Sequence, residues 1–230
     1  MNILYETNSL GYLGWIIDLP GAYIRGKTLA DARLKISQEI KDYDAWLEIQ
    51  TNENKSYVET IKQCDLHVED ADSNVIFDIE LEDFKDINDF SYWCNKAVIS
   101  GRKAEELYNK CRHKEIIDPK MVRKTFYGDV YSTINGQFKH IVDVQNYYLC
   151  QIHEEIDVRM ELAISRVKFV EQLKTKYAEE GNKLYHYDEE DWTIRKIIRR
   201  IIWHDRIHSK AIERMEKRLE ETNLSTNSTR

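Results

Sequence analysis

The sequence predicts an α+β unit at the N-terminus, ordered β-β-β-α-β, followed by an all-α four-helix bundle. Three observations carry this. Short β-rich runs separated by turn residues fill the first 70 residues. A 3.6-residue apolar period then dominates to residue 222. The charge balance also changes near residue 80: residues 1–80 hold 7 basic against 15 acidic side chains, net −8, while the remainder holds 27 against 26.

The first two strands are expected in "NILYE" (2–6) and "YLGWIID" (12–18), with "NSLG" supplying the turn between them. "AYIRG" is a third extended piece after "DLPG", whose glycine and proline are explained by tight turns. Thr28 has the side chain of an N-cap, and Asp31 stands three residues on in capping-box position. Leu29, Ala32, Ile36, Ile40, Tyr43 and Leu47 then recur at helical spacing, which predicts one helix. Residues 57–69 can supply one or two further strands. This gives a domain over 1–70, a connector over 71–81 and a helical domain over 82–222, with the polar tail 223–230 expected to fray.

Helices are expected near 82–112, 129–154, 157–180 and 192–222, with Asp191 as the cap of the last. Breaks fall at "CRHKEIIDPK", "IHEEID" and "EEGNKLYHYDEED". Four long amphipathic helices with short joins bury their stripes most simply as a bundle.

Composition narrows the function classes. No apolar run approaches the roughly 18 residues of a membrane span, and "MNILYETNSLGYLG" lacks the basic flank and apolar centre of a signal peptide, so a cytoplasmic location without membrane association is expected. The acidic first third offers no footprint for a nucleic-acid backbone, which rewards positive charge. Cys64, Cys94, Cys111 and Cys150 contain no CxxC spacing, and reduced, partly buried thiols are expected. No phosphate loop, dinucleotide fingerprint or nucleophile motif is present.

The chemistry concentrates in "IIWHDRIHSKAIERM" (201–215). Ile194, Ile197, Ile198, Ile201, Ile212, Met215 and Leu219 form one apolar stripe; His208 lies within it and His204 at its edge. Buried polar groups need partners, and an i, i+4 pair places two imidazoles about 6 Å apart at Cβ, suited to one metal. His140, at the border of the stripe through Ile134, Phe138, Ile141, Val144 and Tyr148, is the best third ligand. The alternative is that these rings are hydrogen-bonded core residues. Asp205 projects on the same stripe, either as a support for the imidazoles or a fourth ligand, or as half of a salt bridge with a facing helix. Arg200 lies one turn before His204 and is a candidate for an anionic substrate group or a rim ion pair. Tyr147 and Trp203 are candidate pocket walls. His67, His113, His153 and His186 fall in a strand, at element ends or in loops, and solvated roles are expected for them.

"DWTIRKIIRRIIWHDRIHSKAIERM" resembles the last helix of the DinB/YfiT-like four-helix bundle proteins. In that family a histidine of the second helix and an HxxxH pair on the fourth bind one divalent ion; the matching positions are His140, His204 and His208. "GYLGWIIDLPGAYIRGKTLADARLKISQEIKDYDAWL" is similar to the HicB-like fold, from which only the fold is carried over. The bundle resemblance implies a metal-dependent enzyme using zinc or nickel. It would be a transferase working on a small-molecule substrate with a low-molecular-weight thiol, or a hydrolase, with pairing into a homodimer through the bundle. The alternative is a non-catalytic, metal-stabilised stress or interaction module that docks a protein partner through its HicB-like unit.

Overall fold

The computed structural model describes residues 1–51, 56–125, 127–158 and 161–227, with side chains as far as 222. It shows a mixed α/β chain: an N-terminal sheet followed by a mostly helical region.

Strands β1 (Asn2–Thr7), β2 (Tyr12–Ile16) and β3 (Tyr23–Gly26) form an antiparallel meander, and β4 (Val58–Gln63) returns parallel to β1, giving the sheet order β3-β2-β1-β4. The return is made by helices. Thr28 caps α1 (Leu29–Arg33) through a capping box with Asp31. The helix expected as one piece breaks after Arg33 and resumes as α2 (Ile36–Leu47). Ala32, Ile36, Ile40 and Tyr43 cover the sheet face that carries Ile3, Tyr5, Ile16 and Ile24. Gly14 belongs to that face because a Cβ there would come within 2.8 Å of the Tyr5 ring.

The segment expected as a connector is a structural wall. Val68, Ala71, Val75 and Phe77 are buried against Leu13, Trp15 and Tyr23 on the opposite sheet face, and Trp203 closes this second core. The short helix α3 (Asp78–Leu81) follows.

Four long helices pack together: α4 (Ile87–Lys110), α5 (Ile134–Cys150), α6 (Leu162–Glu180) and α7 (Ile194–Asn227). Each of α4 and α5 contacts both α6 and α7. Two small hairpins fill the joins: β5 (Lys124–Thr125) with β6 (Gly128–Asp129), and β7 (Tyr185–Tyr187) with β8 (Glu190–Trp192). The second hairpin takes up Asp191, whose carboxylate contacts His186. Thr193 therefore caps α7 in its place, accepting from the Lys196 amide at 3.1 Å. The backbone of α7 continues to Asn227, into the stretch expected to fray; residues 228–230 lie outside the described residues.

Amphipathicity alone misdescribes α7. Every residue from Trp192 to Arg206 is buried, the basic ones included. The N-terminal unit and the segment after it cover the polar face, and their acidic groups meet the basic ones: Arg199 pairs with Glu80 of α3, while Arg206 and Lys210 both pair with Glu39 of α2. Gly21, at φ +87°, lies so close to α7 that a Cβ would stand 2.8 Å from the Trp203 amide nitrogen. Among the described residues, no helix is long and apolar enough to cross a membrane.

Candidate metal centre

Helix α7 carries His204 and His208 one turn apart on the side facing α5, and α5 carries His140. The three rings converge. Their centroids are 4.4 Å (His204–His208), 4.7 Å (His140–His204) and 4.8 Å (His140–His208) apart. One ring nitrogen from each lies within 4.8 Å of the others. Among the described residues this is the one cluster of three or more histidine, cysteine or carboxylate groups with that property.

The donor set fits a divalent ion. The Nε2 atoms of His140 and His204 are 3.1 Å apart. Two nitrogens held tetrahedrally at about 2.05 Å from one ion sit about 3.3 Å apart. His208 Nδ1 lies 2.6 Å from Gln137 Oε1, and Gln137 Nε2 donates to the Tyr131 carbonyl at 2.7 Å. With the amide oriented in that way, Oε1 accepts, so His208 Nδ1 carries the hydrogen and Nε2 keeps its lone pair. An outer hydrogen bond of this kind is how ligating imidazoles are usually oriented. His204 Nδ1 is buried with no hydrogen-bond partner.

Electrostatics keep the rings neutral, as ligation requires. Burial lowers the pKa of His140, overriding the nearby Asp143 carboxylate. Burial holds His208 down to about 3, with His140 adding to the effect. His204 is pushed well below the ordinary imidazole value by burial first, then by its two neighbouring histidines and the cations of Arg200 and Arg166.

The other sequence candidates lie differently. Asp205 is turned to α6. Both its oxygens are held by Arg166 of α6, at 2.6 and 2.8 Å, and both side chains are fully buried. Gln145 and the Ala97 carbonyl take further Arg166 donors. Asp205 is therefore a salt-bridge partner, and neither a ligand nor a support for the imidazoles. Arg200 is buried and not at the rim: it donates to the Ser73 carbonyl at 2.8 Å, bonds the Tyr148 hydroxyl and lies over the Trp203 ring at 4.6 Å. Tyr147 points outward and is 53% exposed, so it walls nothing. The ring beside His204 is its neighbour Tyr148, with centroids 6.1 Å apart; Trp203 stands at the same distance, and Tyr131 covers His140 at 4.8 Å.

Gln137, Tyr131 and Tyr148 were not among the sequence candidates. Gln137 had a signal, being a polar residue between Ile134 and Ile141 on the buried stripe of α5. Tyr131 precedes the helix and had none. The four cysteines are unpaired with one another. Burial pushes the thiols of Cys94 and Cys111 up to about 12 and 11, which removes them as nucleophiles at neutral pH. Compared with known protein families, curated proteins and solved structures, the chain has no match, and nothing in these comparisons identifies the DinB/YfiT-like or HicB-like families.

Proposed function

We propose that the protein is a divalent-metal-dependent enzyme whose ion is held by His140, His204 and His208. The observation supporting this most directly is the convergence of three neutral imidazoles within 4.8 Å, with no carboxylate or thiol in the set. Zinc or nickel suits an all-imidazole donor set. Such an ion, with three protein ligands, supplies Lewis-acid chemistry, lowering the pKa of a bound water or thiol and polarising a carbonyl.

The chain's own residues do the rest. Gln137 orients His208 through Nδ1. Tyr131 packs on the His140 ring, and Tyr148 and Trp203 pack beside the His204 ring. Burial first, then the neighbouring histidines, with the Arg200 cation adding to them, keep the His204 ring neutral and available as a ligand. A purely structural ion would call for a fourth protein ligand, and the nearest carboxylate in sequence, Asp205, is committed to Arg166.

The finer assignment rests on the resemblance of residues 82–220 to the DinB/YfiT-like bundles and of the N-terminal unit to the HicB-like fold. It makes the reaction a transfer involving a low-molecular-weight thiol, with metal-dependent hydrolysis as the variant in the same class.

The test is elemental analysis of untagged protein beside a His208→Ala variant. One equivalent of zinc or nickel is expected in the wild type and is expected to be lost in the variant. Wild-type protein that neither carries nor takes up either metal defeats the proposal. After cobalt substitution, a thiolate-to-metal absorption band on adding a small thiol supports the thiol reading. Its absence leaves hydrolysis.

A further inference from the structure

Among the described residues three lysines are buried: Lys96, Lys176 and Lys196. Lys176 on α6 pairs with Glu154 and Glu180, and Lys196 on α7 pairs with Glu190. Lys96 stands on α4 where that helix packs against α2. It is 6% exposed, and among the described residues its Nζ has no carboxylate partner and no hydrogen-bond acceptor. We propose that Lys96 is a carbonyl-capturing lysine, which joins small aldehydes reversibly through an imine.

The surroundings of the amine are aromatic. Nζ lies 4.3 Å from the centroid of the Tyr92 ring, one helical turn earlier, and 6.0 Å from that of Tyr43 on α2. The acids that act on it through space are Asp89 on α4 and Asp44 on α2. Both are engaged elsewhere: Asp89 accepts from Arg195 at 3.1 Å, and Asp44 from the Thr51 amide at 2.8 Å and the Thr51 hydroxyl. The other cation at these rings is Arg206 on α7, 5.1 Å from the Tyr43 centroid and paired with Glu39. The Lys96 amine is not sealed. Among the described residues, the fully enclosed side-chain nitrogens that lack a partner do not include Lys96 Nζ, so this unpaired nitrogen reaches solvent. Tyr92 beside it is 50% exposed, which puts the amine just beneath the surface.

A lysine attacks a carbonyl only as the neutral amine, and desolvation without a carboxylate partner is how proteins supply that form near neutrality. Burial lowers the Lys96 ammonium to about 8, against the pull of Asp89 and Asp44. At pH 7 about one amine in ten is then neutral, against about one in three thousand for an ordinary lysine. The nitrogen lone pair adds to the aldehyde carbon, a C–N bond forms, and the carbonyl oxygen leaves as water with the two amine hydrogens. Nothing is oxidised or reduced. The imine takes up a proton and keeps the single positive charge, so its attraction to the Tyr92 face and to both carboxylates survives. An acyl donor would leave a neutral amide and forfeit both, which ranks aldehydes above acyl donors as the partner class.

Reductive trapping on the full-length chain tests the proposal. Brief exposure to acetaldehyde and cyanoborohydride fixes each imine as an ethylamine, and peptide masses locate it. EDTA is present throughout, so the result is independent of the histidine centre. The α-amine of Met1, which ordinarily titrates near 8, is scored separately. At pH 7 Lys96 is expected to be labelled roughly tenfold faster than the exposed Lys27 and Lys41, part of its gain in neutral amine being lost to lower basicity and to crowding by the rings. Its initial rate should reach half of its plateau near pH 8, whereas that of Lys27 should still be rising above about pH 9. In urea, where the burial is lost, the preference should vanish. Lys96 labelled no faster than Lys27 and Lys41, or a preference that persists in urea, overturns the assignment.

Discussion

His208 Nδ1 lies 2.6 Å from Gln137 Oε1, and this contact decides which nitrogen of His208 faces the other two histidines. The link continues from Gln137 Nε2 to the Tyr131 carbonyl, at the turn entering α5. Gln137→Ala should lower zinc affinity by about 10- to 100-fold, the usual cost of losing an outer-shell partner. Gln137→Glu keeps an acceptor and should retain most of the affinity. Competition with a chromogenic chelator measures both, and unchanged affinity in the alanine variant would remove Gln137 from the site.

An ion bound only by the folded chain stabilises it by mass action. At a free zinc concentration one hundred times Kd, the unfolding free energy should rise by about 2.7 kcal/mol. EDTA should reverse the gain, and His204→Ala should show neither effect. Urea titrations with and without zinc provide the comparison.

Acid should destabilise the metal-free protein early. His208 titrates near 6.5 when unfolded, and burial holds it to about 3 in the fold. Between those values the unfolded chain binds the extra proton, so the stability present above pH 6.5 is withdrawn as pH falls. One such ring contributes about 1.4 kcal/mol per pH unit across the window. His140 and His204 are shifted in the same direction. Chemical denaturation in EDTA should therefore show stability falling below pH 6.5, with a slope reduced by about one proton in His208→Gln. A flat profile in that window would contradict the neutral histidine cluster.

The Asp205–Arg166 pair should matter to stability and not to metal binding. Asp205→Ala strands a buried guanidinium and should cost about 3–5 kcal/mol, whereas replacing both residues with apolar side chains should recover much of that loss. Zinc stoichiometry in the folded fraction should remain at wild-type level. A variant that folds but loses its zinc would return Asp205 to the site.

Gly21→Ala should loosen the N-terminal sheet from α7. The position combines φ +87° with a close approach to Ile202 and the Trp203 amide. Backbone strain of this kind costs about 1–3 kcal/mol before any clash is counted. Proteolysis within residues 1–70 should accelerate in the variant, and resistance equal to wild type would contradict the close contact.

Much of the organisation was legible in local pattern. The strand alternation, the Thr28–Asp31 cap and the four helical segments all follow from side-chain period and turn chemistry acting over a few residues. The HxxxH spacing likewise brings His204 and His208 together on any α-helix, whatever surrounds it. His140 was a weaker inference, because a single histidine at the border of a stripe has no internal geometry to support it.

The errors have one source. A helical wheel gives a side chain's direction about its own axis and says nothing of what lies opposite. Asp205 projected onto the apolar stripe beside the histidines with two readings open, and only Arg166 on α6 decides for the salt bridge. Arg200 was expected at a rim; the Ser73 segment and Trp203 enclose it. Tyr147 and Tyr148 are adjacent in sequence, and only the seating of α5 on α7 turns the second inward.

Local side-chain pattern was enough for the element types, their order, and three histidines placed where two helices would present them to one another. Tertiary structure alone decided that the basic face of α7 is buried against acidic groups of the N-terminal unit and the segment after it, and which neighbour each titratable side chain met. Helix period is set by backbone hydrogen bonds between near neighbours. Burial of α7 on all sides as far as Arg206 depends on residues such as Glu39 and Glu80, more than a hundred positions away in the chain.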